Sequence, residues 1–218
     1  MLAKEKGIVL HSFRYGDDGQ IVSVFFAREG IVSFLTKSMK GRRNNNIRYM
    51  LQPLSVVDVA FDFRANRQLQ YFKEMKPSVL LADIYENPLK ITIVIFLAEV
   101  LRYVLKGERE NEEIFAFIER SILWLEQSEA DFSSFHIVFL ANLLRYLGYD
   151  PAFDDEYSAV TDEIKRLMAL DYESMNLHLT NHSDRNDKVE DLLTYYRRHL
   201  PEFPQLKSLE VLKEVFRA

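Results

Sequence analysis

Cationic side chains are the residues of this sequence whose spacing points most clearly to chemistry. Between Glu29 and Asp58 the chain has no acidic residue. The same interval carries five cations: Lys37, Lys40, Arg42, Arg43 and Arg48. Lys and Arg bind phosphate groups without regard to base sequence. The interval therefore favours binding of DNA or RNA over the alternative of a merely solvated surface.

Aromatic residues near this interval could stack on bases: Phe34, Tyr49, Phe61, Phe63, Tyr71 and Phe72. Because alternate residues of a strand share a face, we expect Phe61 and Phe63 to point the same way, and the core is the favoured side. Arg64 and Arg67 follow in a turn, where side chains are exposed. The predicted DNA-binding residues are therefore Lys37, Lys40, Arg42, Arg43, Arg48, Tyr49, Arg64 and Arg67.

Catalytic and metal-binding patterns are weak by comparison. The chain has no cysteine, which excludes disulfides, thiol nucleophiles and Cys-ligated zinc. His178 and His182 are four residues apart, but no glutamate between them could act as the base of a metalloprotease. The seven glycines form neither a dinucleotide fingerprint nor a phosphate-binding loop. We therefore expect no enzyme activity, no metal, no cofactor and no small-molecule substrate, because no hydrolase site can be assembled.

Charge is divided unevenly along the chain. The net charge is -5, yet residues 1–76 hold 13 Lys and Arg against 7 Asp and Glu, whereas residues 77–218 hold 15 against 26. This division predicts two modules with different partners. The apolar residues 91–105 are interrupted by Glu99 and Arg102 and are too few to span a bilayer, so we expect a buried helix and no membrane contact. The N-terminal pattern and the lack of cysteine favour the cytoplasm.

Strands must position the cations. Short runs of β-branched and aromatic residues predict five strands, at residues 7–14, 21–27, 31–37, 53–63 and 69–76. Glycines predict tight turns at residues 16–19 and 28–30. Residues 38–52 predict a mobile loop that carries most of the cations. Five short strands with one long connection favour a Greek-key barrel of the OB type, and an open sheet is the alternative.

From Pro77 onward the apolar spacing becomes that of helices. Helices are predicted at residues 88–106, 111–127, 133–147, 159–170, 185–200 and 205–217. The predicted fold class is α+β, with an OB-fold nucleic-acid-binding domain at residues 1–78 and a helical bundle at residues 79–218. Arg145 and Tyr146 could contact a partner's acidic, hydrophobic peptide. The favoured alternative is an exposed Arg145 and a packed Tyr146.

Six segments of the sequence carry a resemblance to known proteins. They are GIVLHSFRYGD at residues 7–17, LQPL at 51–54, FLAEVL at 96–101, RYLGY at 145–149, HLPEFP at 199–204 and KSLEVL at 207–212. Together they resemble the RecO family of bacterial recombination mediator and DNA repair proteins, in the version found in the Bacteroidetes group. The resemblance extends over nearly the whole chain.

The resemblance implies an OB-fold and a helical domain that bind single- and double-stranded DNA and anneal complementary strands without catalysis. It also implies RecR and the C-terminal tail of single-strand-binding protein as partners, an indirect role in loading RecA, and a nucleoid-associated location. The cations that match the family's DNA-binding loop are Lys37, Lys40, Arg42, Arg43 and Arg48.

Two departures from the family limit what the resemblance implies. Many members carry a cysteine zinc module that is absent here, so no metal is expected. The basic residues that bind the tail in some members fall on Ser133 and Ser134, and the segment near residues 153–158 is shorter than usual. The alternative hypothesis is a protein-interaction adaptor whose acidic helical domain recruits repair partners without direct DNA binding.

Overall fold

The computed structural model describes residues 3–17, 19–37, 49–149, 151, 159–175 and 181–217. The chain forms two compact units, Met1–Ile122 and Leu123–Ala218. The predicted boundary near residue 78 separates strands from helices, whereas the first compact unit includes helices as well as strands. A boundary defined by compactness differs from one defined by secondary structure, and the predicted one stays a prediction.

The described part of the first unit is built on a curled six-stranded sheet. Its strands are β1 (Ala3–Tyr15), β2 (Gly19–Phe26), β3 (Gly30–Lys37), β4 (Val56–Phe61), β5 (Leu69–Gln70) and β6 (Phe72–Pro77). The order across the sheet is β5-β3-β2-β1-β4-β6. β5 and β6 lie at opposite edges, yet only Tyr71 separates them in sequence, so the chain itself joins the two edges. The predicted OB-type barrel is confirmed.

The last predicted strand, at residues 69–76, is in fact two strands. Leu69 and Gln70 pair in parallel with Ser33 and Phe34 of β3, whereas β6 pairs antiparallel with β4. A barrel closes only if its last strand pairs with both open edges, and here that strand changes partners at Tyr71. The predicted count of five strands was wrong for this reason.

Alternate residues of the strands fill the barrel, as their pattern predicts. Val22, Val24 and Phe26 of β2 face Phe34 of β3 and Phe61 of β4 in one buried cluster. The rings of these three phenylalanines contact one another, with centroids 4.9 to 6.0 Å apart. These contacts build the core of the barrel, and they leave the opposite parity of each strand on the outer face.

The prediction that Phe61 and Phe63 point the same way was wrong. Phe61 is fully buried, whereas Phe63 is 39% exposed. β4 ends at Phe61, so the alternation of a strand does not extend to Phe63. Side-chain direction beyond the end of a strand is set by the following turn.

Helices follow the strands in the first unit: α1 (Ala82–Glu86), α2 (Pro88–Val104) and α3 (Glu112–Gln127), the last of which continues into the second unit. The side chain of Asn87 accepts hydrogen bonds from the N–H groups of Leu89 and Lys90 at the start of α2. The side chain of Asn111 accepts a hydrogen bond from Ile114 N–H at 3.0 Å and so caps the start of α3. Lys90 is almost fully buried and pairs with Asp83 of α1.

The second unit is helical, as predicted. Its helices are α4 (Phe135–Tyr146), α5 (Ala159–Met168), α6 (His182–His199) and α7 (Ser208–Val215). The buried Tyr196 hydroxyl of α6 donates a hydrogen bond to the Leu140 carbonyl of α4 at 2.9 Å. Within the described ranges, no helix has the length and apolar character needed to cross a membrane.

Candidate nucleic-acid interface

The predicted DNA-binding interval begins where β3 ends. Lys37 is the last residue of β3, and its backbone pairs with Gly19, which in turn pairs with Tyr15 of β1. Lys40, Arg42, Arg43 and Arg48 lie outside the described residues, as does most of the predicted mobile loop. The assignment of these cations to DNA therefore stays a prediction. The described part of the chain leads into their interval at Lys37, where β3 ends.

Tyr49 anchors the chain at the start of the next described range. Its hydroxyl donates a hydrogen bond to Glu86 Oε1 at 3.0 Å, and its ring stacks on Tyr85 with centroids 5.3 Å apart. The Ser55 hydroxyl hydrogen-bonds both the Tyr49 carbonyl and the Tyr85 hydroxyl. These contacts join the strand-forming part of the chain to α1, so Tyr49 has a structural role beside its predicted contact with DNA.

A buried amide holds the turn that carries Arg64 and Arg67. Gln70 is only 2% exposed, and its Nε2 donates hydrogen bonds to the carbonyls of Arg64 (2.9 Å) and Arg67 (2.7 Å). Its Oε1 accepts one from the Arg64 N–H at 3.1 Å. Both arginine side chains are exposed, as predicted. Gln70 thus fixes the backbone from which the two cations project.

The outer face of β1 carries aromatic residues that sequence reasoning missed. His11 and Phe13 stack with centroids 5.4 Å apart, and Phe13 and Tyr15 are exposed. Their i, i+2 spacing was the available signal, but it becomes informative only when the neighbouring strands show which parity points outward. Burial lowers the pKa of His11, and the charge of Arg102 acts in the same direction.

A cleft of about 550 Å³ lies elsewhere in the first unit. It is lined by Arg28, Glu29, Phe63, Arg109, Glu110 and Glu112. The carboxyl of Glu5 is close to Glu29. Burial, a hydrogen bond to Glu29 and the charge of Glu29 together raise the pKa of Glu5 to about 7. Because acids outnumber arginines along this lining, the cleft is a poorer match for phosphate than the basic interval.

The predicted partner-binding residues lie in the second unit. Arg145 is exposed and its Nη2 donates a hydrogen bond to the Met168 carbonyl at 2.9 Å, while Tyr146 is half-buried. The guanidinium therefore joins α4 to the end of α5, and a role in binding a peptide stays a prediction. Among the residues with described positions, no group of three or more His, Cys, Asp and Glu could hold a metal ion. His178 lies outside them.

Comparison with known proteins covers both parts of the chain. The family model described as Recombination protein O N terminal matches residues 1–79, and the one described as Recombination protein O C terminal matches residues 85–187. The chain is 36% identical to the DNA repair protein RecO of Bacteroides fragilis over 241 aligned residues, with 99% of this chain and 100% of the relative covered.

Two further relatives give the same result. The DNA repair protein RecO of Phocaeicola vulgatus is 36% identical over 240 residues and that of Christiangramia forsetii is 29% identical over 239, each with 99% of this chain and 100% of the relative covered. The aligned positions outnumber the 218 residues of this chain, so the relatives contain positions without a counterpart here. With both family models matched in order and relatives aligned end to end, this chain belongs to the RecO family.

Proposed function

We propose that this protein is a DNA repair and recombination mediator that binds single- and double-stranded DNA and anneals complementary strands. It also helps load the RecA recombinase onto DNA coated by single-strand-binding protein, and it acts without catalysis. The observation that carries the proposal is family membership over the whole chain, with relatives named as DNA repair proteins.

The barrel supports this proposal independently of the family. OB-type barrels use one face and its bordering loops to bind oligonucleotides. Here the five cations of the interval without acidic residues start at Lys37, the last residue of β3. Arg64 and Arg67 add two exposed cations in the turn that Gln70 fixes. Phosphate contacts from such residues position a strand without reading its sequence, as an annealing protein requires.

The proposed partners divide between the two charged parts of the chain. DNA contacts the basic residues near the barrel, whereas RecR and the C-terminal tail of single-strand-binding protein are the proposed protein partners. Arg145 and Tyr146 are the proposed contact for a partner peptide. The protein acts in the cytoplasm, in association with the nucleoid.

A strand-annealing assay with and without single-strand-binding protein tests this function. A mediator accelerates annealing of complementary strands, including strands already coated by single-strand-binding protein. The variant Lys40→Gln/Arg42→Gln/Arg43→Gln should bind single strands more weakly and with a smaller salt slope, by about one unit or less for each lost phosphate contact. Unchanged affinity and slope would reject this site.

The same assay separates the mediator from the adaptor. If the wild-type chain binds no nucleic acid at low salt yet captures a repair protein, the proposal of direct DNA binding is wrong. The adaptor hypothesis, in which the acidic helical domain recruits repair partners, then replaces it. Annealing of bare strands only, with none when single-strand-binding protein is present, would leave a DNA-binding protein that does not act as a mediator.

A further inference from the structure

The connection between β4 and β5, residues 62–68, presents Arg64 and Arg67 to solvent. We call this connection the arginine turn. All of its residues after Asp62 are exposed, so packing against neighbours contributes little to their arrangement. An exposed segment of this kind samples many backbone conformations unless hydrogen bonds fix it. Hydrogen bonds must therefore hold the two arginines in place.

One buried amide supplies these hydrogen bonds. The Nε2 group of Gln70 donates to the Arg64 carbonyl at 2.9 Å and to the Arg67 carbonyl at 2.7 Å. The Oε1 atom of the same amide accepts a hydrogen bond from the Arg64 N–H at 3.1 Å. The Arg67 N–H also donates to the Arg64 carbonyl at 3.0 Å. Backbone groups of both arginines thus converge on one side chain.

The amide of Gln70 depends on the arginine turn as much as the turn depends on the amide. Gln70 is 2% exposed, and its backbone pairs with the core residue Phe34. A buried amide that loses its partners is costly, because it cannot replace them with water. A reversed amide would place its oxygen against two carbonyls, so only one orientation satisfies it. The turn is therefore held in a single arrangement.

The arginine turn carries net charge of the sign that binds phosphate. It holds two cations, Arg64 and Arg67, against one carboxylate, Asp62. A guanidinium group binds phosphate oxygens through paired N–H donors in a fixed geometry. Cations on a flexible backbone lose conformational entropy when they bind, whereas cations on a fixed backbone lose less. Fixing the turn therefore strengthens the contact of each arginine with a phosphate.

We propose that Gln70 is a positioning residue for DNA binding, whose amide holds Arg64 and Arg67 in the arrangement that contacts DNA phosphates. Gln70 does not touch the DNA itself, because its side chain is buried. This inference rests on the proposed function and deepens it, since it adds a residue that acts on DNA only through the two arginines. Contacts with phosphates carry no sequence information, so the arginine turn accepts strands of any sequence.

A double-mutant cycle tests the proposal, with binding to a labelled oligothymidylate measured by fluorescence anisotropy. Gln70→Met keeps a side chain of similar size and removes all three hydrogen bonds. We expect its affinity to fall about fivefold and its salt slope to fall by about one unit or less. Arg64→Gln/Arg67→Gln should lose about tenfold, with a slope smaller by about 1.4, because two phosphate contacts are removed. Adding Gln70→Met to that variant should change neither value further.

Three controls separate positioning from folding and from net charge. Hydrogen exchange of residues 62–70 should become faster in Gln70→Met, while the rest of the chain keeps its wild-type protection. Ile84→Val, at a fully buried position of α1, lowers stability away from the turn and should leave the affinity unchanged. Arg28→Gln/Arg109→Gln removes two exposed arginines outside the turn and should change the affinity by about twofold or less.

A further variant leaves Gln70 intact and keeps the net charge, so it tests the proposal even where Gln70→Met does not fold. Arg67→Gln/Gln68→Arg moves one guanidinium to the next exposed position of the arginine turn. Because Gln70 fixes the backbone there, the moved side chain points in a different direction. The affinity should fall about threefold or more, as for the loss of one phosphate contact. Wild-type affinity of this variant would overturn the inference.

The outcomes distinguish this inference from the proposed function. Wild-type affinity of Gln70→Met, or an equal loss with and without the two arginines, overturns the inference and leaves DNA binding in place. Wild-type affinity of Arg64→Gln/Arg67→Gln excludes the arginine turn from the DNA-binding site, so the inference fails while the proposed function stands. A wild-type chain that binds no DNA overturns both.

Discussion

Glu5 shows how a single carboxyl can make folding depend on pH. It lies on β1, and its pKa rises from 4.5 to about 7 because it is partly buried and because it hydrogen-bonds the carboxyl of Glu29, whose charge repels it. The folded protein therefore keeps a proton on Glu5 at a pH where the unfolded chain has released it. Between about pH 4.5 and 7 the folded state binds more protons, so its stability falls as the pH rises.

We therefore expect Glu5→Gln to stabilise the protein above pH 7 and to change little below pH 4.5. The glutamine cannot ionise, so the repulsion from Glu29 disappears. Because Glu5 is partly exposed and screened by solvent, the gain should be about 1 kcal/mol. Urea unfolding at pH 4, 6 and 8 measures it.

Glu29→Gln provides the matched control. It removes the charge of Glu29, which adds to the effect of burial in raising the pKa of Glu5, and it leaves the Glu5 carboxyl in place. The stability of this variant should fall less steeply between pH 4.5 and 7 than that of the wild type. A gain from Glu5→Gln that is equal at all three pH values would contradict the raised pKa.

At the scale of elements, the β2–β3 turn is fixed by its contact with the connection between α2 and α3. Gly30 has a φ of +72°, and a Cβ at this position would lie 2.1 Å from the Glu108 carbonyl oxygen. The N–H groups of Glu110 and Asn111 donate hydrogen bonds to the carbonyls of Arg28 and Ala27. Glycine is thus required both for its backbone angle and for this close approach.

Gly30→Ala should destabilise the protein by about 3 kcal/mol or more, because the strain of a positive φ adds to a clash with backbone. Gly16→Ala is the matched comparison, since Gly16 has a φ of +64° but a Cβ there would have no atom of the described residues within 4 Å. That variant should lose only about 1 kcal/mol. Equal losses in urea unfolding would show that the contact with Glu108 contributes nothing.

The elements also show what a sequence can predict. Gly30 and Gly16 mark their turns in the sequence, and alternating apolar residues mark β2 and β3, because both signals are local. The change of partners at Tyr71 was not predictable in this way, since it depends on where the edges of β3 and β4 meet. The role of Gln70 in holding the turn was not predicted either. Its amide finds the carbonyls of Arg64 and Arg67 only when the turn has folded around it.

The residues of the candidate nucleic-acid interface, like the elements of the fold, were predictable from the sequence only where the signal is local. A run of cations without acids is visible in composition alone, whereas the exposure of Phe13 and Tyr15 depends on three strands in register. Phe61 and Phe63 show the limit of the alternation rule, because the rule ends where the strand ends. A cluster of charged residues can therefore be recognised in a sequence directly, whereas the exposure of a strand residue can be recognised only when the pairing of the strands is known.

For the whole molecule, the question is whether DNA responds to total charge or to its location. The chain as a whole is acidic, with a net charge of -5, yet residues 1–76 are basic. The screening length is about 8 Å at physiological salt, so phosphates respond to the cations beside them and little to distant acids. Binding by an acidic protein is therefore expected to depend on a local cluster.

Two triple variants with the same change in net charge test this expectation. Lys40→Gln/Arg42→Gln/Arg43→Gln removes three cations from the basic interval, and Arg166→Gln/Lys207→Gln/Arg217→Gln removes three exposed cations from the second unit. If location decides, the first variant weakens single-strand binding about tenfold or more at physiological salt, and the second leaves it within about twofold. Equal losses would mean that the total charge governs binding, since both variants change it by the same amount. A larger loss from the second variant would place the DNA on the helical part instead.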